Sequence, residues 1–325
     1  MTVPRFLLIL GAACLALIPL TGAVFYMQLL SKIMILAIFA MSLDLLVGAG
    51  LVSLGHAAFF GVAGYVIALL SPKYQAASLW LTLPAALIIS AALALLIGLL
   101  VLRTSGVYFI MVTLAFGQML YYLFHDTKLG GGSDGIYLYV KPELKLAGIR
   151  LIDLEKPLQF YYFVFGIMLA VYFLLRRILV APFGRALAGL SVNERRMRSL
   201  GFPAFFYKLW AFVLSGTLAG LAGYLSACQF GFVNPEILSW HYSATVLILL
   251  IFGGIGRLYG AIVGAFAYVL LQEALASQAL FGALAKHWQL GMGALIVVVV
   301  MFLPSGLTSF FDRFGRVRVA QQSDD

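Results

Sequence analysis

Charged side chains are scarce in this chain. Asp, Glu, Lys and Arg together make up 10% of its 325 residues, against roughly a quarter in soluble domains. That scarcity excludes an ordinary soluble globule, because 63% hydrophobic residues present more apolar surface than one interior can hide. Cysteine is scarcer still. Cys14 and Cys228 lie far apart, each in an apolar segment, which excludes a disulfide framework and a cysteine metal site and leaves both as small packing residues. Cys14 also lacks a leucine three positions earlier, where Gly11 stands, so it does not read as a lipoprotein cysteine. No G-x-x-x-x-G-K-[ST] phosphate loop occurs, and the glycine-rich stretch Gly130 to Gly135 has no lysine to reach a phosphate. No H-E-x-x-H occurs, and His56, His125, His241 and His287 stand singly, so no metal or catalytic set is legible. A membrane enzyme is therefore a poor reading.

Long apolar runs are abundant. Runs of about twenty residues, each enough to cross the hydrocarbon core of a bilayer, recur at about 6–26, 30–49, 51–70, 79–102, 106–125, 158–178, 208–228, 243–257, 259–281 and 288–304. The expected fold class is all-α, a polytopic transmembrane helix bundle with eight to ten crossings. The third and eighth runs are short and glycine-rich, the pattern of re-entrant or broken helices. Arg5 followed by the apolar run Phe6 to Leu20 imitates a secretory signal, but another apolar run begins within ten residues, so it is read as a retained first crossing. Residues 1–310 form one membrane domain, and 311–325 form a polar tail.

The net charge of +9 does not mark a nucleic-acid binder, because the basic residues sit in gaps between apolar runs and form no stripe with interleaved aromatics. Their asymmetry sets orientation instead. Segment 176–208 holds seven bases (Arg176, Arg177, Arg185, Arg195, Arg196, Arg198, Lys208) against Glu194 alone, whereas five bases balance five acids in 125–157. The loop 179–207 is thus expected in the cytoplasm and the loop 125–157 outside. With an even number of crossings both termini are cytoplasmic, and the membrane is a bacterial inner membrane.

Three features stand out within that frame. Between Pro182 and the helix-stopping pair Gly201 and Pro203, residues Leu187, Leu190, Glu194 and Met197 recur at three- and four-residue spacing. That spacing predicts one short amphipathic helix with a mainly apolar face, able to dock on a partner or to lie on anionic lipid headgroups. Asp44 interrupts an apolar run, where a carboxylate costs about 2.5–3.5 kcal/mol on insertion scales; it should line a path or gate, or make a structural interhelical hydrogen bond. His56, beside Ser53 and Gly55, is expected at a helix end, capping backbone groups. Asp44, Ser53, His56 and Gln118 are the candidate path residues. Glu273, near a helix end, is expected to reach water. The loop Leu129 to Tyr139 and the segment Gly231 to His241, with interfacial aromatics such as Trp240 and Tyr242, form the third feature. Two packing motifs, Gly216-x-x-x-Gly220 and Gly260-x-x-x-Gly264, suit close helix contacts inside the bundle or with a second subunit. Ser53 to Leu70 and Gly254 to Leu271 resemble each other weakly, as an internal repeat with a one-residue slip.

Taken in order, Leu51-Val-Ser-Leu-Gly-His-Ala-Ala-Phe-Phe-Gly61, Gly106 to Met119, Gly131 to Ile136, Pro182-Phe-Gly-Arg-Ala-Leu187, Tyr207 to Ser215, Ala219 to Gly223 and Phe302 to Leu307 resemble the permeases of branched-chain amino acid ABC transporters. The resemblance implies a type II ABC importer-like bundle that carries leucine, isoleucine and valine. Urea or short amides are the alternative cargo, and a stand-alone secondary transporter is the alternative class. It implies a second homologous permease subunit, two cytoplasmic ATPases that bind ATP and Mg, and a periplasmic substrate-binding protein. No cofactor is implied in this chain, and neither is catalysis. The resemblance makes the basic loop an ATPase-coupling element, with Gly184, Arg185, Ala186, Glu194 and Gly201 aligned to the family pattern and Leu187 and Leu190 on its apolar face. The chain departs from that pattern at 188–192.

The orientation is open to a direct measurement. An impermeant maleimide should label Ser133→Cys in cells with an intact inner membrane and Ser199→Cys only after that membrane is permeabilised. The reverse pattern would overturn the charge-based topology.

Overall fold

The computed structural model describes residues 15–72, 74–146, 149–302 and 306–308. Residues 6–14 of the expected first crossing, Cys14, part of the closing motif at 302–307 and the tail 311–325 fall outside the described residues.

Helices dominate, as the apolar runs require. In chain order they are α1 (Val24–Gly48), α2 (His56–Leu70), α3 (Leu79–Val101), α4 (Val107–Asp126), α5 (Pro157–Val180), α6 (Pro182–Val192), α7 (Glu194–Ser199), α8 (Ala204–Phe230), α9 (Trp240–Gly253), α10 (Leu258–Ala276) and α11 (Trp288–Phe302). Among the described residues, α1, α3, α4, α5, α8 and α10 are long and apolar enough to cross a membrane. The runs expected to be short, the third and eighth, are the 15-residue α2 and the 14-residue α9.

One boundary moves. The residues 24–26, expected to close the first crossing, open α1 instead. The chain bends at Gly22, which takes φ 69 after a single 3₁₀ turn, Ile18–Thr21.

Topology fixes which ends lie together. The 24-residue α5 is about 36 Å long at 1.5 Å per residue, so the loops that flank it are at opposite ends of the bundle. One end carries the basic hairpin 181–203. The other carries loop 127–156, which contributes strands to two small antiparallel ribbons. Strand β1 (Ile136–Tyr137) pairs with β4 (Phe232–Val233), and β2 (Glu143–Leu146) pairs with β3 (Ile149–Asp153). The β1–β4 ribbon joins the two segments, 129–139 and 231–241, that the sequence singles out separately.

The central element is α8, which packs on α1, α2 and α3. It runs antiparallel to α1, and two hydrogen bonds hold the pair: Gln229 Nε2 donates to the Gln28 carbonyl at 2.7 Å, and Ser215 Oγ donates to the Ser42 carbonyl at 2.5 Å. Small residues set the spacing. Gly216 faces Ala94 and Phe59, Gly220 faces Ser90, and Gly223 lies so close to α2 that a Cβ there would overlap the Phe60 carbonyl. Gly264 meets the Leu249 carbonyl in the same way, and Gly260 meets Gly253, which locks α9 to α10. Both glycine motifs therefore serve packing within the chain. Cys228 is buried in this core as a free thiol.

Gly223→Leu forces side-chain atoms into that carbonyl contact and should destabilise the bundle by about 1–3 kcal/mol. Thermal unfolding in detergent should show it as a clear drop, while Gly166→Leu, on α5 with open space around its Cα, should leave the transition in place.

Candidate functional site

Between α1 and α2 the helix is interrupted. Gly50, with φ 77, turns the chain beside Ser191 of the basic hairpin. Residues 51–55 then run without helical hydrogen bonding until α2 starts at His56. The 15 residues of α2 rise about 22 Å, short of a hydrocarbon core of about 30 Å, so the non-helical residues 51–55 have to supply part of this crossing.

Backbone polar groups outside a helix need partners at membrane depth, and hydroxyls supply them. The Leu54 N–H donates to Thr113 Oγ1 of α4 at 3.3 Å, the Gly55 N–H to Ser53 Oγ at 3.3 Å, and the Ala57 N–H to Ser243 Oγ of α9 at 2.8 Å. Close approach makes this reachable. Gly55 lies so close to the Thr113 carbonyl that a Cβ there would overlap it, and a Cβ on Gly117 would press on the Gly55 Cα at 3.1 Å.

The capping role expected of His56 is thus taken by Ser53, Thr113 and Ser243, because the imidazole points elsewhere. His56 is the first residue of α2 and fully buried. Its ring stacks on Phe39 at 5.4 Å and 7°, and its Nε2 lies 2.9 Å from Ser42 Oγ. Ser42 Oγ itself donates to the Phe39 carbonyl at 2.6 Å, so it accepts from a protonated Nε2, and Nδ1 is left with no hydrogen-bond partner.

Asp44, two residues beyond Ser42 on α1, is buried and accepts the Gly256 N–H at 2.8 Å. Of its two expected roles the structure shows a structural hydrogen bond, to the turn between α9 and α10. That turn contains Gly254 and Gly256 at positive φ and opens α10 much as segment 51–55 opens α2, one residue out of step in the repeat alignment. Gln118 is half-buried beside Gly117. Ser53 and His56 therefore lie at one interruption, with Gln118 next in sequence to the Gly117 that packs there, and Asp44 braces another. Ser42, Thr113 and Ser243 were not singled out in sequence; hydroxyls in apolar runs were the available signal.

Near the ribbon end, α2 is covered by residues 233–238. Leu238 seats on Gly61, and Val233 and Ile237 lie on Gly64. Tyr65 stacks on Phe124 at 4.2 Å. Beside this lies a cleft of about 460 Å³ lined by Tyr74, Gln75, Lys141, Glu143, Asp153 and Glu155. Burial pushes the Lys141 amine below its ordinary value, and its Nζ lies over the Phe160 ring at 5.4 Å. Gly131 to Gly135 also spells the Gly-x-Ser-x-Gly of a hydrolase elbow. It occupies a single 3₁₀ turn, Gly132–Asp134, rather than a strand-to-helix turn, and Ser133 Oγ donates to Asp134 at 3.2 Å. Among the described residues no group of three or more His, Cys, Asp or Glu could hold a metal ion.

The basic hairpin differs from the single helix expected. Asn193 breaks it in two: with φ −155 its side chain accepts the Arg196 N–H at 3.0 Å and starts α7. An Asn cap followed by Glu194 in the first turn is a helix start, a signal the apolar spacing masked. Gly184, Ala186, Leu187 and Leu190 are buried, with Gly184 against the Leu179 and Ile178 backbone and Leu187 packed with Ala49, Ala211, Phe183 and Tyr207. The apolar face of α6 is thus covered by the chain's own helices. What the hairpin presents outward is Arg185, Arg195 and Arg196, with the apolar Val192 and Leu200. Glu194, expected on the apolar face, instead bridges Arg198 and Lys208. Gly201 takes φ 87 in the linker to α8.

Compared with known proteins, residues 25–304 match the family described as the branched-chain amino acid transport system, permease component. The high-affinity branched-chain amino acid transport system permease protein LivM of Salmonella typhimurium is 32% identical, with 84% of this chain and 68% of that protein covered. LivM of Escherichia coli is 31% identical with the same coverage. No solved structure matches.

Ser243→Ala strands the buried Ala57 N–H, a loss of about 1–3 kcal/mol. Thr113→Val does the same to Leu54. Each should lower the unfolding temperature of the purified protein, and the double variant should lower it further.

Proposed function

This chain belongs to the family of branched-chain amino acid transport permeases, and on that premise we propose how it works. It forms the membrane path of an importer in a bacterial inner membrane, with the basic hairpin in the cytoplasm and the β1–β4 ribbon outside. A second homologous permease pairs with it, two cytoplasmic ATPases bind ATP and Mg beneath the pair, and a periplasmic binding protein delivers cargo at the ribbon end. The cargo, by the names of its relatives, is leucine, isoleucine and valine. Urea and short amides are the competing cargo.

The observation that carries this reading is the hairpin. Its inner face is buried on the bundle, while Arg185, Arg195, Arg196, Val192 and Leu200 are displayed on a chain that has no nucleotide motif of its own. A mixed basic and apolar surface fixed to the helices suits a soluble motor better than a lipid surface, because α6 has no free apolar face left to insert. ATP binding closes the ATPases, the hairpins move, and the bundle opens outward along the interrupted crossing at Ser53, His56 and Gln118. Moving such an equilibrium from 1:99 to 99:1 takes about 5.5 kcal/mol, a demand met by the partner's nucleotide. A stand-alone transporter would need a free intramembrane charge to couple an ion gradient, and Asp44 is instead engaged by Gly256.

The Arg185 N–H donates to the Ala181 carbonyl at 3.2 Å. Arg185→Pro removes that bond and disrupts α6 by about 3 kcal/mol. With the complete transporter in proteoliposomes, ATP-dependent leucine uptake should be lost although the complex still assembles. Normal uptake would refute the coupling role, and uptake of urea but not leucine by the unmodified complex would move the cargo to the alternative.

A further inference from the structure

Resting on that importer reading, we propose that Lys208 is a positioning residue: by binding Glu194 it locks the hairpin to α8, so that displacement of the hairpin becomes displacement of the helix that bears on the interrupted crossing.

The linker between α7 and α8 is bonded to α7: the N–H groups of Leu200, Gly201 and Phe202 donate to the Arg196, Arg198 and Met197 carbonyls. Leu200, Gly201, Phe202 and Pro203 separate the two helices, and Gly201 takes φ 87, a conformation glycine enters and leaves freely. Leu187 and Phe183 seat α6 against Ala211 and Tyr207 of α8, but α7, set off from α6 by Asn193, needs a tie of its own if a push on it is to move α8. One ion pair crosses the hinge. Glu194 Oε2 receives Lys208 Nζ at 2.5 Å, while its other oxygen receives Arg198 of the same short helix.

The lysine is unusually placed for a surface charge. Its side chain is 13% exposed and that of Glu194 29%, because Lys208 lies one turn into an apolar helix and has little freedom to point elsewhere. Shielded pairs are screened less than exposed ones. Burial pushes the Glu194 carboxyl up, but its hydrogen bonds and charge pairing with Lys208 and Arg198 more than offset this and hold it below the ordinary range. The Glu194 carboxyl is therefore held in its charged form at neutral pH.

Lys208 is also well placed to pass movement on. Seven residues further along α8, Ser215 Oγ holds the Ser42 carbonyl, and Ser42 Oγ meets His56 at the start of α2. Gly216 rests on Phe59 and Gly223 on the Phe60 carbonyl. A shift of α8 along its axis cannot leave α2 in place.

The test uses the complete transporter in proteoliposomes, with leucine uptake and ATP hydrolysis measured in the same vesicles. Lys208→Met should lower leucine imported per ATP by about tenfold, the range of coupling mutations, with hydrolysis continuing. Lys208→Arg should keep the ratio, and the exchange Glu194→Lys with Lys208→Glu should recover most of what either single change loses. If Lys208→Met does not assemble, Glu194→Gln reads the same ratio. An unchanged ratio in the assembled variants, or an exchange no better than its single changes, overturns the lock. Arg185→Pro run in parallel keeps the two readings apart: if it abolishes uptake while Lys208→Met couples normally, only the lock is wrong, and if it too transports normally, the importer coupling itself fails.

Discussion

An amide that leaves its helix inside a bilayer has no water to bond, and this structure is organised around meeting that constraint at residues 51–57. Thr113, Ser53 and Ser243 each accept one N–H, and they can do so only because α4 and α9 come close to the interruption. Gly55 and Gly117 permit the first approach. The packing of α4, α9 and α8 around α2 follows from satisfying a short run of backbone that a continuous helix would have satisfied alone. Polar residues in this region are therefore part of the scaffold as well as candidates for the path.

The large features were legible in sequence because lipid imposes length and polarity on every crossing. Helices α3, α5 and α8 fall where the apolar runs place them, and the two glycine-rich runs are short helices as expected. What escaped was short-range and directional. The hairpin read as one helix because Leu187, Leu190, Glu194 and Met197 keep a helical period straight through Asn193, and a period does not record that an Asn side chain has captured the Arg196 N–H. His56 was placed correctly at a helix end but with the wrong bond. Position along the chain does not tell where an imidazole points when Ser42 competes for it.

Charge was legible in aggregate and illegible in detail. Seven bases against one acid mark the hairpin, yet the sum hides the division of labour among them. Arg185, Arg195 and Arg196 are displayed, whereas Lys208 is turned inward to Glu194 across a gap of fourteen residues. The one acid in the loop is the group that decides which base is withdrawn from the surface, and only the fold brings the two together.

The antiparallel pair α1 and α8 is pinned at two levels, Gln28 with Gln229 and Ser42 with Ser215. The pins are separated by 42 − 28 = 14 residues on one helix and 229 − 215 = 14 on the other, about 21 Å on each. Equal spacing means that both are aligned in a single register and both fail if either helix slips by a turn. The two rods are thus denied shear against each other and travel as one strut. Any opening of the bundle moves that strut as a unit against its neighbours.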